Sequence, residues 1–186
     1  DYSTYDWKDI KIINLKENST KKFGYKCYGD NINLGIKKST GDFIAFCDDN
    51  FTWIPDKIKI QLKEINNKNY KMCSSDLYIG NGDYDLSKTY IKYNKDKCYY
   101  FIKEIFDKKK SDLFNNGFPN IWNKSFLEIN NSMIYSSVII KKDLINEVGL
   151  FLTKNIHIDY DYWLRCLDKT NCIYLDSSTV YLNENK

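Results

Sequence analysis

Three consecutive polar residues, Asp48, Asp49 and Asn50, directly follow the short apolar run DFIAFC at positions 42–47. Such a run is typical of a strand buried on both faces of a parallel sheet, and ligands bind beyond the carboxyl ends of these strands. The oxygens of the three side chains could hold Mg²⁺ or Mn²⁺ together with substrate phosphate, and the cation would neutralise charge on a departing diphosphate. A solvated acidic turn between a strand and a helix is the alternative interpretation.

The surrounding chain alternates strand and helix patterns that would position these residues. Strands are predicted at 8–15, 42–47, 71–79, 132–140 and 171–182, and helices at 29–39, 55–65, 98–106, 141–149 and 159–167. The helix that follows Pro55 carries Ile58, Leu62 and Ile65 at the spacing of one buried stripe. Alternating strands and helices predict an α/β fold with a mostly parallel sheet flanked by helices.

Composition excludes several other classes of protein. The net charge is +3, from 28 basic and 25 acidic residues, and Arg165 is the only arginine, which argues against a dedicated nucleic-acid-binding role and leaves a basic nucleic-acid-binding domain as a minor alternative. The six cysteines form no C-x-x-C pair and His157 is the only histidine, which argues against a Cys/His zinc site. Free thiols predict a reducing, cytoplasmic location, and no apolar run approaches the roughly 18 residues of a transmembrane segment.

The segment STGDFIAFCDDNFTWIPDKIKIQ at positions 39–61 carries a more specific signal. It resembles the signature of family 2 glycosyltransferases of the GT-A fold, in which a strand leads into a DXD motif, W-x-P and a lysine-rich helix. The resemblance implies that Asp48, Asp49 and Asn50 bind Mn²⁺ or Mg²⁺, and that Asp48 and Asp49 also contact the sugar nucleotide. Asn50 stands where the motif normally ends in aspartate, and a neutral amide is expected to weaken the metal site.

Two motifs in the first forty residues extend this resemblance. DYST at positions 1–4 resembles the end of a D-D-G-S-T-D segment, which implies that Asp1 contacts the nucleotide base. NLGI, which begins at Asn33, resembles an R-N-x-G-I helix and assigns Asn33 to the donor site. The family's domain begins with a further strand that has no counterpart in this sequence, so the chain is expected to be part of a longer protein.

A third motif, HIDYDYWLR at positions 157–165, resembles the segment E-D-Y-D-x-W-x-R, with Ile158 in place of the glutamate. The resemblance places Asp159 at the catalytic base, whose carboxylate removes the proton of the acceptor hydroxyl. Asp159 is also predicted at the start of a helix, where the dipole favours its ionised form and where an N-cap role is the alternative. Asp161 and Arg165 lie four residues apart and are expected to pair.

These motifs together predict one Rossmann-like GT-A domain, with a nucleotide-sugar half at 1–80 and an acceptor half at 81–186. The implied activity is inverting, metal-assisted transfer of a hexose or N-acetylhexosamine from a UDP-sugar to a glycan, lipid or protein hydroxyl, as in polysaccharide biosynthesis. Trp122 is a candidate either for stacking on the acceptor or for packing. Because Tyr2, Asn50 and Ile158 depart from the motifs, a non-catalytic sugar-nucleotide or glycan-binding module is the alternative.

Overall fold

The computed structural model describes residues 10–17, 21, 28–153 and 157–185 of the chain. Its strands are β1 (Phe43–Ala45), β2 (Phe51–Trp53), β3 (Met72–Gly80), β4 (Ile91–Lys92), β5 (Ile121–Trp122), β6 (Ile139–Lys141) and β7 (Cys172–Asn183). Its α-helices are α1 (Tyr28–Lys38), α2 (Lys57–Lys68), α3 (Tyr99–Lys108), α4 (Lys124–Ile129), α5 (Lys142–Val148) and α6 (Ile158–Leu167). A π-helical turn spans Tyr93–Lys97, and 3₁₀ helices span Asp112–Phe114 and Tyr135–Ser137.

The described strands form one mixed sheet in the order β1-β6-β3-β7-β2, with β4 on β3 and β5 on β7. The two long strands β3 and β7 are parallel, and β6 is antiparallel to both β1 and β3. β1, β3 and β7 therefore share one direction, and they contribute most of the residues of the sheet. The predicted α/β class with a mostly parallel sheet is confirmed, and strands from both halves of the chain build the same sheet.

Helices cover the two faces of this sheet because successive strand residues point to opposite sides. On β3, Met72 belongs to the large cluster that includes Trp163 of α6, whereas its neighbour Cys73 packs with Ile65 of α2. The same alternation separates Ile140 from Ile139 on β6. The hydrophobic core therefore lies on both sides of the sheet, and a third cluster forms around Leu77 and Ile79 of β3 and Val180 of β7. None of the helices in the described part of the chain is long and apolar enough to cross a membrane.

Two strand predictions are wrong in whole or in part. Residues 10–17 form no strand and pair with none of the described strands. Ile10 and Ile12 are 51% and 68% exposed, so the alternation of apolar and polar residues here does not correspond to one buried face. The predicted strand at 132–140 is a 3₁₀ helix followed by the short β6. Ser137 explains the difference, since its hydroxyl donates to the carbonyl of Ile134 and diverts the backbone from an extended path.

The buried stripe of α2 also differs from the prediction. Lys57, Gln61 and Ile65 form the buried face, whereas Ile58 is 37% exposed. A prediction from the spacing of apolar residues does not identify this face, because lysine and glutamine count as surface residues in such a pattern. Their burial is possible because both polar ends bond to the same backbone carbonyl, that of Ser137.

Candidate functional site

A cleft of about 990 Å³ lies where four separate segments of the chain meet. Its lining comes from α1, the connection between β1 and β2, the turn Tyr135–Ser137 and the first turn of α6: Tyr28, Asn31, Ile32, Cys47, Asp48, Asp49, Asn50, Tyr135, Ile158 and Asp159. The structure thus brings the polar residues that follow β1 together with Asp159, which is far from them in sequence. Three carboxylates face one open space that is large enough for a ligand of nucleotide size.

Hydrogen bonds at both ends hold the segment from Asp48 to Asn50. The backbone N–H of Asp48 donates to the hydroxyl of Ser136 at 3.0 Å, and the carbonyl of Asp48 accepts from the N–H of Phe51 at 3.1 Å. The carbonyl of Asn50 accepts from the N–H of Asn183, at the end of β7, at 3.3 Å. The tight turn is therefore tied to the sheet and to the Tyr135–Ser137 turn.

Asp159 lies in the first turn of α6, and the rest of that helix is anchored firmly. Arg165 pairs with Asp161, with Nε 3.0 Å from Oδ2, and also donates to the carbonyls of Val148 and Leu150. The expected Asp161–Arg165 pair is therefore confirmed, and its role is to join α6 to the end of α5. The N-cap position belongs to His157, so the interpretation of Asp159 as the N-cap residue is wrong.

The acidic side chains of the cleft influence one another. The pKa of Asp48 is raised above its ordinary value, first by partial burial, then by the charges of Asp49 and Asp159. Tyr135, at the wall of the cleft, has its pKa raised by burial and then by Asp48 and Asp159. Negative charge is therefore concentrated here, and a bound cation would relieve the repulsion.

The residues after β1 offer a partial set of ligands for a divalent cation. Among the residues that the structure describes, no group of three or more His, Cys, Asp or Glu side chains could hold a metal by itself. Asp48, Asp49 and Asn50 line one side of the cleft and provide two carboxylates and an amide oxygen. This set fits Mg²⁺ or Mn²⁺ where phosphate oxygens and water complete the coordination, and the raised pKa of Asp48 agrees with a site that favours a cation.

Other predicted site residues lie elsewhere. Asn33 is buried, with its amide nitrogen donating to the carbonyl of Phe151 at 2.8 Å and its oxygen accepting from the same residue's N–H at 2.9 Å. The donor role of Asn33 stays a prediction that this geometry does not support, because both ends of its amide bond to the backbone and it is not among the residues that line the cleft. Trp122 is fully buried and stacks on Tyr174 with ring centroids 4.2 Å apart, so it has the packing role. Asp1 lies outside the described residues.

Two residues that shape the cleft, Tyr135 and Ser136, are not among the predicted site residues. Tyr135 lines it and packs on Phe46 with ring centroids 5.0 Å apart, and Ser136 accepts the hydrogen bond from Asp48. The Y-S-S triplet inside an otherwise apolar run did not by itself signal this turn, since the buried strand β3 also carries two consecutive serines, Ser74 and Ser75.

Known proteins resemble this chain in sequence and in structure. The model of the family "Glycosyl transferase family 2" matches residues 1–128. An uncharacterized glycosyltransferase of Rickettsia typhi is 26% identical over an alignment 195 residues long. The alignment covers 94% of this chain and 54% of that protein. The chain therefore spans about half the length of this curated relative.

Solved structures of TarS from S. aureus show the same architecture. Residues 1–349 of TarS match with a TM-score of 0.53 and 13% identity, over 83% of this chain and 40% of that one. The same TarS segment in complex with UDP-GlcNAc matches with a TM-score of 0.57 and 13% identity, over 95% and 42%. At this identity the likeness shows the fold alone, and it confirms the expected GT-A architecture.

Proposed function

The chain belongs to glycosyl transferase family 2, and we propose that it transfers a sugar from a nucleoside diphosphate sugar to a hydroxyl group of a glycan, lipid or protein. The observation that carries the proposal is that Asp159 shares one cleft with Asp48 and Asp49. Transfer requires a carboxylate for the incoming hydroxyl and a separate charged site for the departing diphosphate. Asp159 can supply the first, and Asp48, Asp49 and Asn50 can supply the second when they hold a divalent cation.

UDP is the nucleotide that we propose for the donor, and a hexose or N-acetylhexosamine is the sugar. The match to a TarS structure in complex with UDP-GlcNAc supports this class of donor. The volume of about 990 Å³ is at the upper end of ordinary ligand sites, so a sugar nucleotide and the reacting part of an acceptor fit together.

Each polar residue of the cleft has a proposed role. Asp48, Asp49 and Asn50 hold Mn²⁺ or Mg²⁺, which when bound neutralises charge on the diphosphate, and Asp48 and Asp49 orient the donor. Asp159 accepts the proton of the acceptor hydroxyl. At the same time the hydroxyl oxygen bonds to the anomeric carbon of the donor sugar, and the bond from that carbon to the diphosphate breaks. Attack from the side opposite the diphosphate inverts the configuration of that carbon.

Free thiols are the basis for the proposed cellular setting. The cysteines that the structure describes, Cys47, Cys73, Cys98, Cys166 and Cys172, carry no disulfide. Free thiols are typical of reducing compartments, so we propose a cytoplasmic site of action, with polysaccharide biosynthesis as the process.

A thermal-shift panel of UDP-, GDP- and dTDP-sugars, each with and without Mn²⁺, tests the donor proposal. We expect a UDP-sugar to raise the melting temperature, and to raise it more with Mn²⁺, because a ligand that binds only the folded state stabilises it. Transfer and hydrolysis of the stabilising sugar nucleotide are then measured. If no sugar nucleotide stabilises the protein, the donor proposal is wrong. Stabilisation without turnover would instead support a non-catalytic binding module, the interpretation that Asn50 and Ile158 favour.

A further inference from the structure

A buried lysine lies next to the cleft. Lys57, the first residue of α2, is 2% exposed, and its ammonium donates to the carbonyl of Ser137 at 2.9 Å and to the side-chain oxygen of Gln61. Its Nζ also lies 5.2 Å from the centroid of the Trp53 ring. None of the ion pairs formed by the described residues includes Lys57. Among the described residues, dipoles and an aromatic face therefore take the place of a counter-ion.

Burying this cation is unfavourable. An ammonium group removed from water without a counter-ion loses hydration that neutral partners only partly replace. Burial accordingly lowers the pKa of Lys57 to about 8. Because an apolar side chain of similar volume is often neutral or stabilising at such a position, stability alone does not account for this lysine.

Two hydrogen-bonded steps connect Lys57 to the cleft. The carbonyl of Ser137 accepts from Lys57 and also from the amide of Gln61, at 2.8 Å. Ser137 ends the one-turn 3₁₀ helix whose middle residue, Ser136, accepts the N–H of Asp48 at 3.0 Å. A shift of the Ser137 carbonyl therefore moves the turn that holds Asp48.

We propose that Lys57 and Gln61 are positioning residues, which hold the Ser137 carbonyl and thereby set where Asp48 stands in the cleft. Residues of this kind orient a site without contacting its ligand. The catalytic consequence rests on the proposed function, whereas the effect on the backbone of Asp48 does not. In Lys57→Met the Ser137 carbonyl keeps its bond from Gln61, so the variant is expected to fold.

Hydrogen exchange of the Asp48 amide, measured by NMR, tests the structural part directly. Ser136→Ala removes the acceptor of that amide, and Lys57→Met and Gln61→Leu remove the two donors to Ser137. We expect the amide to exchange about five- to tenfold faster in all three variants, the effect of weakening one hydrogen bond. Lys59→Met, at a solvent-exposed lysine on the same helix, is the matched control and should leave the rate unchanged. Unchanged exchange in both Lys57→Met and Gln61→Leu would overturn the proposal.

Donor binding tests the functional part. In the presence of Mn²⁺ we expect Lys57→Met, Gln61→Leu and Ser136→Ala each to weaken UDP-sugar binding about tenfold, and Lys57→Met to do so without a lower melting temperature at about pH 7. Because the three residues act through one turn, the double variant of Lys57→Met and Ser136→Ala should lose less than the sum of the single losses in binding free energy. Full additivity, or loss of binding only where the melting temperature falls, would contradict a positioning role. If the unsubstituted protein binds no sugar nucleotide, the proposed function fails while the exchange result still decides the inference.

Discussion

The backbone N–H of Asp48 donates to the hydroxyl of Ser136 at 3.0 Å, and this bond joins the β1–β2 connection to a turn far along the chain. The same turn carries Tyr135 at the wall of the cleft and Ser137 against α2. The polar edge of the cleft is therefore one connected structure, in which a change at one residue is expected to reach the others.

Asp159→Asn should abolish most transfer while leaving the donor bound. Asparagine keeps the shape of the side chain but takes up no proton at neutral pH, so kcat should fall by about 10² to 10⁴. The dissociation constant of the UDP-sugar should stay within about threefold, since Asp159 is assigned to the acceptor. Asp168→Asn, at an exposed aspartate just beyond α6 that pairs with Lys124, is the control. Full activity of Asp159→Asn would show that the base lies elsewhere.

Asp48→Asn should raise thermal stability at neutral pH and weaken donor binding. The folded-state pKa of Asp48 is raised, so the folded protein disfavours the ionised form, and this cost is present above that pKa and relieved as the pH falls. The neutral amide removes the cost and also a carboxylate for the cation. Melting temperatures at pH 7.5 and calorimetric titration of a UDP-sugar with Mn²⁺ measure the two effects. Lower stability together with unchanged binding would contradict the assignment.

Lys57→Met should alter how stability depends on pH. The folded-state pKa of Lys57 is about 8, below the ordinary 10.5, so between these values the unfolded chain binds more protons and stability rises with pH. The protein should therefore gain about 1 kcal/mol relative to Lys57→Met between pH 8 and 9.5. Urea unfolding at both pH values measures this difference. Ionisation of the cysteine thiols also affects stability in this range, but both proteins share these thiols, so their contribution largely cancels. Parallel pH profiles would show that Lys57 titrates normally.

Asn33→Ala should destabilise the protein without affecting the donor site. The substitution leaves the N–H and the carbonyl of Phe151 without their partner at a buried position. The free energy of unfolding should fall by about 2 kcal/mol, as expected for unsatisfied buried polar groups. Donor affinity of the folded variant should be unchanged, and Asn66→Ala, at an exposed position on α2, should alter neither quantity. Weaker donor binding at unchanged stability would instead support the predicted donor role of Asn33.

Local patterns in the sequence determined several elements because they depend on neighbouring residues alone. The apolar run before Asp48, proline near the start of α2 and the helical spacing of 159–167 each predicted an element that the structure contains. The four-residue spacing of Asp161 and Arg165 likewise predicted their ion pair. These features need no knowledge of the remaining chain, since a helix or a short strand sets them within a few residues.

Only the tertiary structure decided which of these residues meet. Asp159 shares a cleft with Asp48, Asn33 bonds to Phe151, and Lys57 is buried against Ser137, all through contacts between distant parts of the chain. The sequence alone favoured a donor role for Asn33 and placed the buried stripe of α2 on Ile58, Leu62 and Ile65, because residue type and spacing do not reveal which backbone groups need a partner. Burial and hydrogen bonding across the sheet supply that information, since they depend on how distant segments pack rather than on their order.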